Sequence, residues 1–223
     1  MNQYMTAQLF DLKHTIAAEY LAGFTWPWEA LAGIRDLIVT LGEALPETDY
    51  EEISEHVWVA RSARVAPTAF LGGPVIVGPE AEIRHCAFVR GSALIGEHTV
   101  VGNSTELKNV ILFDHVEVPH YNYVGDSILG FHAHMGAGSI TSNIKADRKN
   151  ILIHFPEGSV ETGLRKIGAM LGDWTEIGCN SVLNPGTVIG RGTQVYPLSM
   201  VRGTVPAGSI YKKAGEIIEK AER

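Results

Sequence analysis

Cysteine is scarce in this chain of 223 residues: Cys86 and Cys179 lie far apart, and there is no CxxC pair. This argues against an oxidising compartment and fits the reducing cytosol, so a cytoplasmic protein is expected. The opening MNQYMTAQLFDLKH lacks the charged-then-apolar order of a leader. Long apolar runs are missing too. The best one, ALAGIRDLIV, is interrupted by Arg35 and Asp36, and no segment is expected to span a bilayer as a helix. Positive charge is also in short supply. With 18 Lys and Arg against 25 Asp and Glu, the net charge is −7, whereas nucleic-acid binding needs a cationic face that displaces counterions. No nucleic-acid partner is therefore expected.

What the chain does contain is 45% apolar residues together with 24 glycines and 10 prolines, the balance of an ordered, turn-rich protein with one substantial domain. An internal repeat organises it. From Val59 an aliphatic residue returns every six positions, through Val65, Leu71, Val77, Ile83, Val89, Ile95, Val101 and Leu107. Gly or Ala often follows it, and a small or β-branched residue usually stands four places on. A helix repeats at 3.6 and a half-buried strand at 2, so a period of six means short strands joined by tight corners. Three hexads per triangular turn, stacked at the strand spacing of about 4.8 Å, give a parallel β-helix with one long aliphatic core.

The phase slips by one residue at two five-residue steps, Leu107 to Leu112 and Val124 to Leu129, and then runs on through Met135 and Thr141. The repeat vanishes for the polar stretch SNIKADRKNILIHFPEGSVETGLRK and resumes in phase at Leu171, which predicts an excursion loop over about residues 142–166. Counting hexads predicts about seven coils over 51–208. Ahead of them, residues 1–50 are expected to form a helical cap over the open end. Leu9, Leu12, Ile16 and Tyr20 are spaced for one helix, and a second starts at Pro27 and carries Leu31, Ile34, Ile38, Leu41 and Leu45. After the coils, residues 209–223 with AGEIIEKAER read as a closing helix.

Residues that the hexad rule would not choose gather around the phase slips: Lys108, Asp114, His115, His120, Tyr121, Asn122, Tyr123 and Asp126, then His132, His134, Asn143, Arg148 and Lys149. His120 stands out because it follows Pro119 in VPHYNYVGDSILG, where the repeat wants only a corner residue. It is a candidate general base, set against the plain alternative of an exposed corner histidine.

The stretch GNSTELKNVILFDHVEVPHYNYVGDSILGFHAHMGAGSITSN, residues 102–143, resembles the acetyltransferase domain of the bifunctional N-acetylglucosamine-1-phosphate uridyltransferase/glucosamine-1-phosphate acetyltransferase family. It is closer still to the C-terminal domain of archaeal-type sugar-1-phosphate nucleotidylyltransferases. ETGLRKIGAMLGD and WPWEAL are similar to that second group, so the likeness runs from residue 26 to about 210. The resemblance implies an all-β, left-handed parallel β-helix that assembles as a homotrimer and binds acetyl-CoA and an amino-sugar 1-phosphate in clefts between subunits. It assigns His120 the removal of a proton from the attacking amine and Ala137 a backbone N–H at the developing oxyanion. It places sugar and phosphate contacts on Arg90, Lys108, Tyr123, Asn143 and Lys149.

Two departures from that family are visible. Its glycine-rich nucleotide loop is absent, so no nucleotidyl transfer is expected, and His134 stands where the family has asparagine before GAG, which bears on substrate identity. Two other classes compete. His115 and His120 in His-x4-His spacing, with His85 upstream, resemble the zinc ligands of γ-type carbonic anhydrases. A non-catalytic trimeric β-helix that binds a sugar phosphate or a partner enzyme is the third reading.

Overall fold

Short strands and tight corners alternate as the six-residue period requires in a computed structural model that describes residues 1–220. Each strand pairs in parallel with its counterpart one coil on. Val75–Val77 pairs with Ala93–Ile95, Glu82–Ile83 with Val100–Asn103, and Phe70–Leu71 with Phe88–Val89. The three rows of rungs form the three faces of a left-handed parallel β-helix. The periodic aliphatic residues point inward. Val77, Val89, Ile95, Leu107, Leu112, Leu129 and Leu171 are fully buried, while Val65 and Leu71 of the first coil are only partly so. Each buried side chain contributes about 1.5–3 kcal/mol before the entropy of ordering is subtracted.

The two five-residue steps are single-residue corners between the third and first faces. Glu106–Leu112 and Tyr123–Leu129 run as continuous strands around that corner, paired residue for residue through Lys108 and Gly125. Asn109 and Asp126 make the bend at φ +56° and +49°, a left-handed conformation that their short polar side chains tolerate. On the next coil the excursion leaves after Ile140–Thr141 and returns to the same corner at Ala169–Leu171. Three successive irregular corners therefore stack on one another.

The amino-terminal segment differs from the expected cap. It lies lengthwise along the first face as a strap, in short turns at Thr6–Leu9, Leu12–His14 and Ala18–Ala22, followed by the 3-10 helix Pro27–Gly33 and the α-helix Ile34–Glu43. Its backbone is tied to the corners of the coils. Asp173 N donates to Leu9 O at 3.0 Å, Asp114 N to His14 O at 3.0 Å, and Asp11 N to the Asp173 carboxylate at 2.7 Å. Those carbonyls serve the solenoid, so the continuous helix read from Leu9 to Tyr20 does not form. Under the strap lie the outward residues of the first face, Trp58, Ile76, Leu94, Ile111, Ile128, Met170 and Val188, all buried.

The open edges are closed by hairpins. Tyr50–Ser54 folds back antiparallel on Val57–Ala60 at one end. At the other, Ser209–Lys213 pairs with Glu216–Glu219, where a closing helix was expected; residues 221–223 of that helix lie outside the described residues. The last rung offers unpaired backbone groups, and pairing with them outweighs the modest helix propensity of EIIE. No helix among the described residues is long and apolar enough to cross a membrane.

Between the first and second faces, His98, His115, His132 and Trp174 stack ring on ring, with centroids 4.8, 4.6 and 4.1 Å apart. Burial, and next the neighbouring His115, lower the pKa of His132 below 6.5. The unfolded chain thus takes up a proton near pH 6.5 that the folded chain resists, so stability falls as pH drops through that value. His132→Phe keeps the stack and removes the proton site. Its melting temperature should fall less than that of the wild type between about pH 7 and about pH 5.5, measured by thermal unfolding; parallel curves would refute the assignment.

Candidate functional site

Residues on the three stacked corners converge on the Asp126 carboxylate, which is 3% exposed. Lys108 Nζ meets Oδ1 at 2.7 Å, Asn109 Nδ2 donates to the same oxygen at 3.0 Å, and Asn143 Nδ2 donates to Oδ2 at 2.6 Å. The Asn143 amide also donates to the Tyr123 hydroxyl at 3.1 Å. Gly125 makes this possible, since a Cβ there would come within 2.5 Å of that hydroxyl. Burial raises the Tyr123 pKa, with Asp126 and Glu106 adding to the effect, so the phenol stays protonated. Arg90 occupies the position of Lys108 one coil earlier and pairs with Glu106 at 2.8 Å. Asn109 Nδ2 also donates to Leu31 O at 3.2 Å, fastening the strap to the cluster.

His120 stands at the opposite edge of the third face. Its N–H donates to Asn122 Oδ1 at 3.1 Å, and its carbonyl accepts from Gly138 N at 3.0 Å. Buried Asn122 in turn donates to Gly136 O and Ser139 O, clamping this corner onto the next coil. The pairing of Glu117 with His134 carries His120 into register with Ala137, so imidazole and GAG backbone occupy the same position on consecutive coils. Among the described residues the Ala137 N–H has no acceptor. The His120 ring itself is exposed.

Four of the sequence-predicted residues, Arg90, Lys108, Tyr123 and Asn143, come together, and His120 and Ala137 form a second pair. The two groups are separated along one chain by the strand that starts at Tyr123. His134 joins neither group. It lies on the second face and hydrogen-bonds Glu176 at 2.9 Å. Lys149 is exposed in the excursion, where its backbone N–H donates to Asp147. Asp126 and Asn122, noted in the sequence only as irregular, turn out to be the hubs. The signal for Asp126 was its place at the centre of a five-residue step.

His115 precedes the strand Glu117–His120 and His120 ends it, so the two reach different corners and the x4 spacing does not bring them to one ion within a chain. Among the described residues no three His, Cys, Asp or Glu side chains are grouped for a metal.

Fold and corner geometry define a hexapeptide-repeat β-helix. Residues 72–152 match the GMPPB C-terminal domain model. The chain is 33% identical over 135 residues to the bifunctional protein GlmU of Methanococcus maripaludis, covering 60% of this chain and 33% of that protein. It is 28% identical to the putative uncharacterized acetyltransferase YaiX of Escherichia coli, covering 77% of this chain and 74% of that one. Among solved structures, a hexapeptide transferase family protein from Anaplasma phagocytophilum aligns with a TM-score of 0.43 and 18% identity over 75% of this chain and 81% of that one. The chain is similar in sequence to part of the GlmU protein. It spans about a third of the length of the bifunctional relative named above.

Proposed function

We propose that this protein is an acyltransferase that uses acetyl-CoA to N-acetylate an amino-sugar 1-phosphate, glucosamine 1-phosphate or galactosamine 1-phosphate, with no nucleotidyl transfer by these residues. The observation that carries the reading is the cluster of Lys108, Asn143 and Tyr123 ordered on buried Asp126 beside Arg90. Cations suit a phosphate, and the amide and phenol suit sugar hydroxyls. Acetyl-CoA would be the acyl donor, and the names of the relatives support that chemistry.

In this reading His120 accepts the proton from the sugar amine as nitrogen attacks the thioester carbonyl. The C–N bond forms, the C–S bond breaks, and the thiolate leaves and is protonated. The Ala137 N–H donates to the carbonyl oxygen as charge develops on it. Because the base and the phosphate cluster stand at opposite edges of one third face, a neighbouring subunit would complete each site. The outward row of that face supports a homotrimer, since Phe70, Phe88 and Met200 expose apolar surface there.

Purified protein with acetyl-CoA and either amino-sugar 1-phosphate should release free thiol, and the unphosphorylated sugars should not. No release with either phosphate ester overturns the reading. Asp126→Asn keeps the shape but weakens the grip on Lys108 and Asn143. It should raise KM for the sugar phosphate about tenfold with kcat nearly unchanged. Lys149→Ala should likewise raise KM, and an unchanged KM would place the excursion lysine away from substrate.

A further inference from the structure

An open groove of about 420 Å³ lies at the corner between the second and third faces, on the coils that precede His120. The strand register fixes its place. Asn103 pairs with His120 one coil on, and Ile83 pairs with Val101, so His85, Asn103 and His120 hold one position on three consecutive coils. His85 and Asn103 both line the groove, which therefore runs from directly beneath the imidazole toward the start of the solenoid.

The rim of the groove is cationic. Arg64 stands one coil before Glu82 and pairs with no carboxylate among the described residues. Arg84 Nη2 meets Glu82 Oε2 at 3.0 Å, a contact that neutralises the one acidic side chain of the lining and holds the guanidinium at the level of its own coil. His85 Nδ1 lies 2.9 Å from Thr68 Oγ1, which fixes the ring and leaves Nε2 without a partner among the described residues. Two arginines and an imidazole against one paired glutamate select an anion, and the guanidinium fork suits phosphate oxygens. Distance decides which anion. Arg84 lies two coils, about 10 Å, and Arg64 three coils, about 14 Å, along the solenoid from His120. In a 2-amino-sugar 1-phosphate four bonds join the amine nitrogen to phosphorus, so with the amine at His120 the first phosphate stops short of both arginines. A second phosphate, one P–O–P link further on, comes within their reach.

We propose that this groove is the distal end of the acceptor site, where Arg64, Arg84 and His85 hold the second phosphate of an amino sugar carried on a diphosphate. The proposal rests on the acyltransferase reading and extends its acceptor class from the sugar monophosphate to the diphosphate ester. Isothermal titration with UDP-glucosamine, geranyl-diphosphate-linked glucosamine and glucosamine 1-phosphate tests it, with coenzyme A saturating so that no nucleotide occupies the donor's place. At least one diphosphate ester should bind tenfold or more tighter than the monophosphate, and the tighter of the two identifies what the diphosphate carries. The double variant Arg64→Ala/Arg84→Ala should weaken that ester at least tenfold more than it weakens the monophosphate, and Arg64→Lys/Arg84→Lys should recover part of the loss. Neither side chain belongs to the core, so both variants should melt like the wild type. Diphosphate esters that bind no more tightly than the monophosphate, or an equal loss for all three ligands in the alanine variant, would overturn the proposal. Binding is read here without turnover. An arginine-dependent preference for a diphosphate ester with no thiol release from any acceptor supports the groove and removes acetyl transfer, whereas thiol release from the monophosphate without that preference removes the groove and keeps acetyl transfer.

Discussion

Replacing His120 with alanine should lower the turnover of acetyl transfer by about 10²–10⁴, the usual range for one positioned base, and leave melting temperature and assembly unchanged. The separation of effects follows from the way the corner is built. The imidazole is exposed, and the corner is held by groups that the substitution keeps: the backbone N–H on Asn122 Oδ1, the carbonyl accepting from Gly138 N, and the Asn122 amide on Gly136 and Ser139. Asn122→Ala should do the reverse. It would leave the buried Ser139 carbonyl without a donor at a cost of about 1–3 kcal/mol, lowering stability along with turnover. Thiol release under saturating acetyl-CoA, with melting measured on the same preparations, decides it. A His120→Ala enzyme with wild-type turnover would remove the imidazole from the chemistry.

Gly102→Ala should be the most damaging single methyl in the chain. Gly102 stacks directly on Pro119 of the next coil, and a Cβ built on it would fall inside the Pro119 carbonyl. Both partners are backbone within a hydrogen-bonded rung, so no flexible side chain can yield. The rung must open, and Pro119 moves together with His120. The loss should be about 3 kcal/mol or more, a melting temperature lower by about 6–12 °C for a chain of this size, with turnover impaired even at temperatures where the variant is folded. Gly192→Ala is the contrast. Its φ of +64° carries some strain for alanine, but nothing lies within 4 Å of the added methyl, so the cost should be about 1 kcal/mol. Equal melting of the two variants would contradict the rung packing at Gly102.

The inward half of the fold was legible because the hexad sets it locally. An aliphatic residue at every sixth place points into the core whatever lies outside, and Leu107, Leu129 and Leu171 are buried as the period requires. The outward half carried a longer period that the hexad count passed over. The residue just before the inward one is apolar on every third hexad along the first face, from Trp58 through Ile76 and Leu94, and that row is the floor of the strap. On the third face the same position alternates between Phe88, Glu106 and Tyr123 and stays at least partly open. Local spacing misled at both ends. Leu9 to Tyr20 looks helical, but coil corners claim its carbonyls, and EIIE looks helical, but a sheet edge recruits it.

At the site, sequence alone picked out which residues depart from the repeat, because a corner that must bend in five residues rejects aliphatic choices and leaves Lys108 and Asp126 visible. It also determined the coil, its core and the place where the chain leaves it. Only the tertiary structure decided that Asp126 collects Lys108, Asn109 and Asn143, that His134 turns away to Glu176, and that the strap braces the cluster through Leu31. The physical reason is that hydrogen bonds between corners join residues 17 or 18 positions apart, whose pairing is set by how coils stack and not by what neighbours them in the chain.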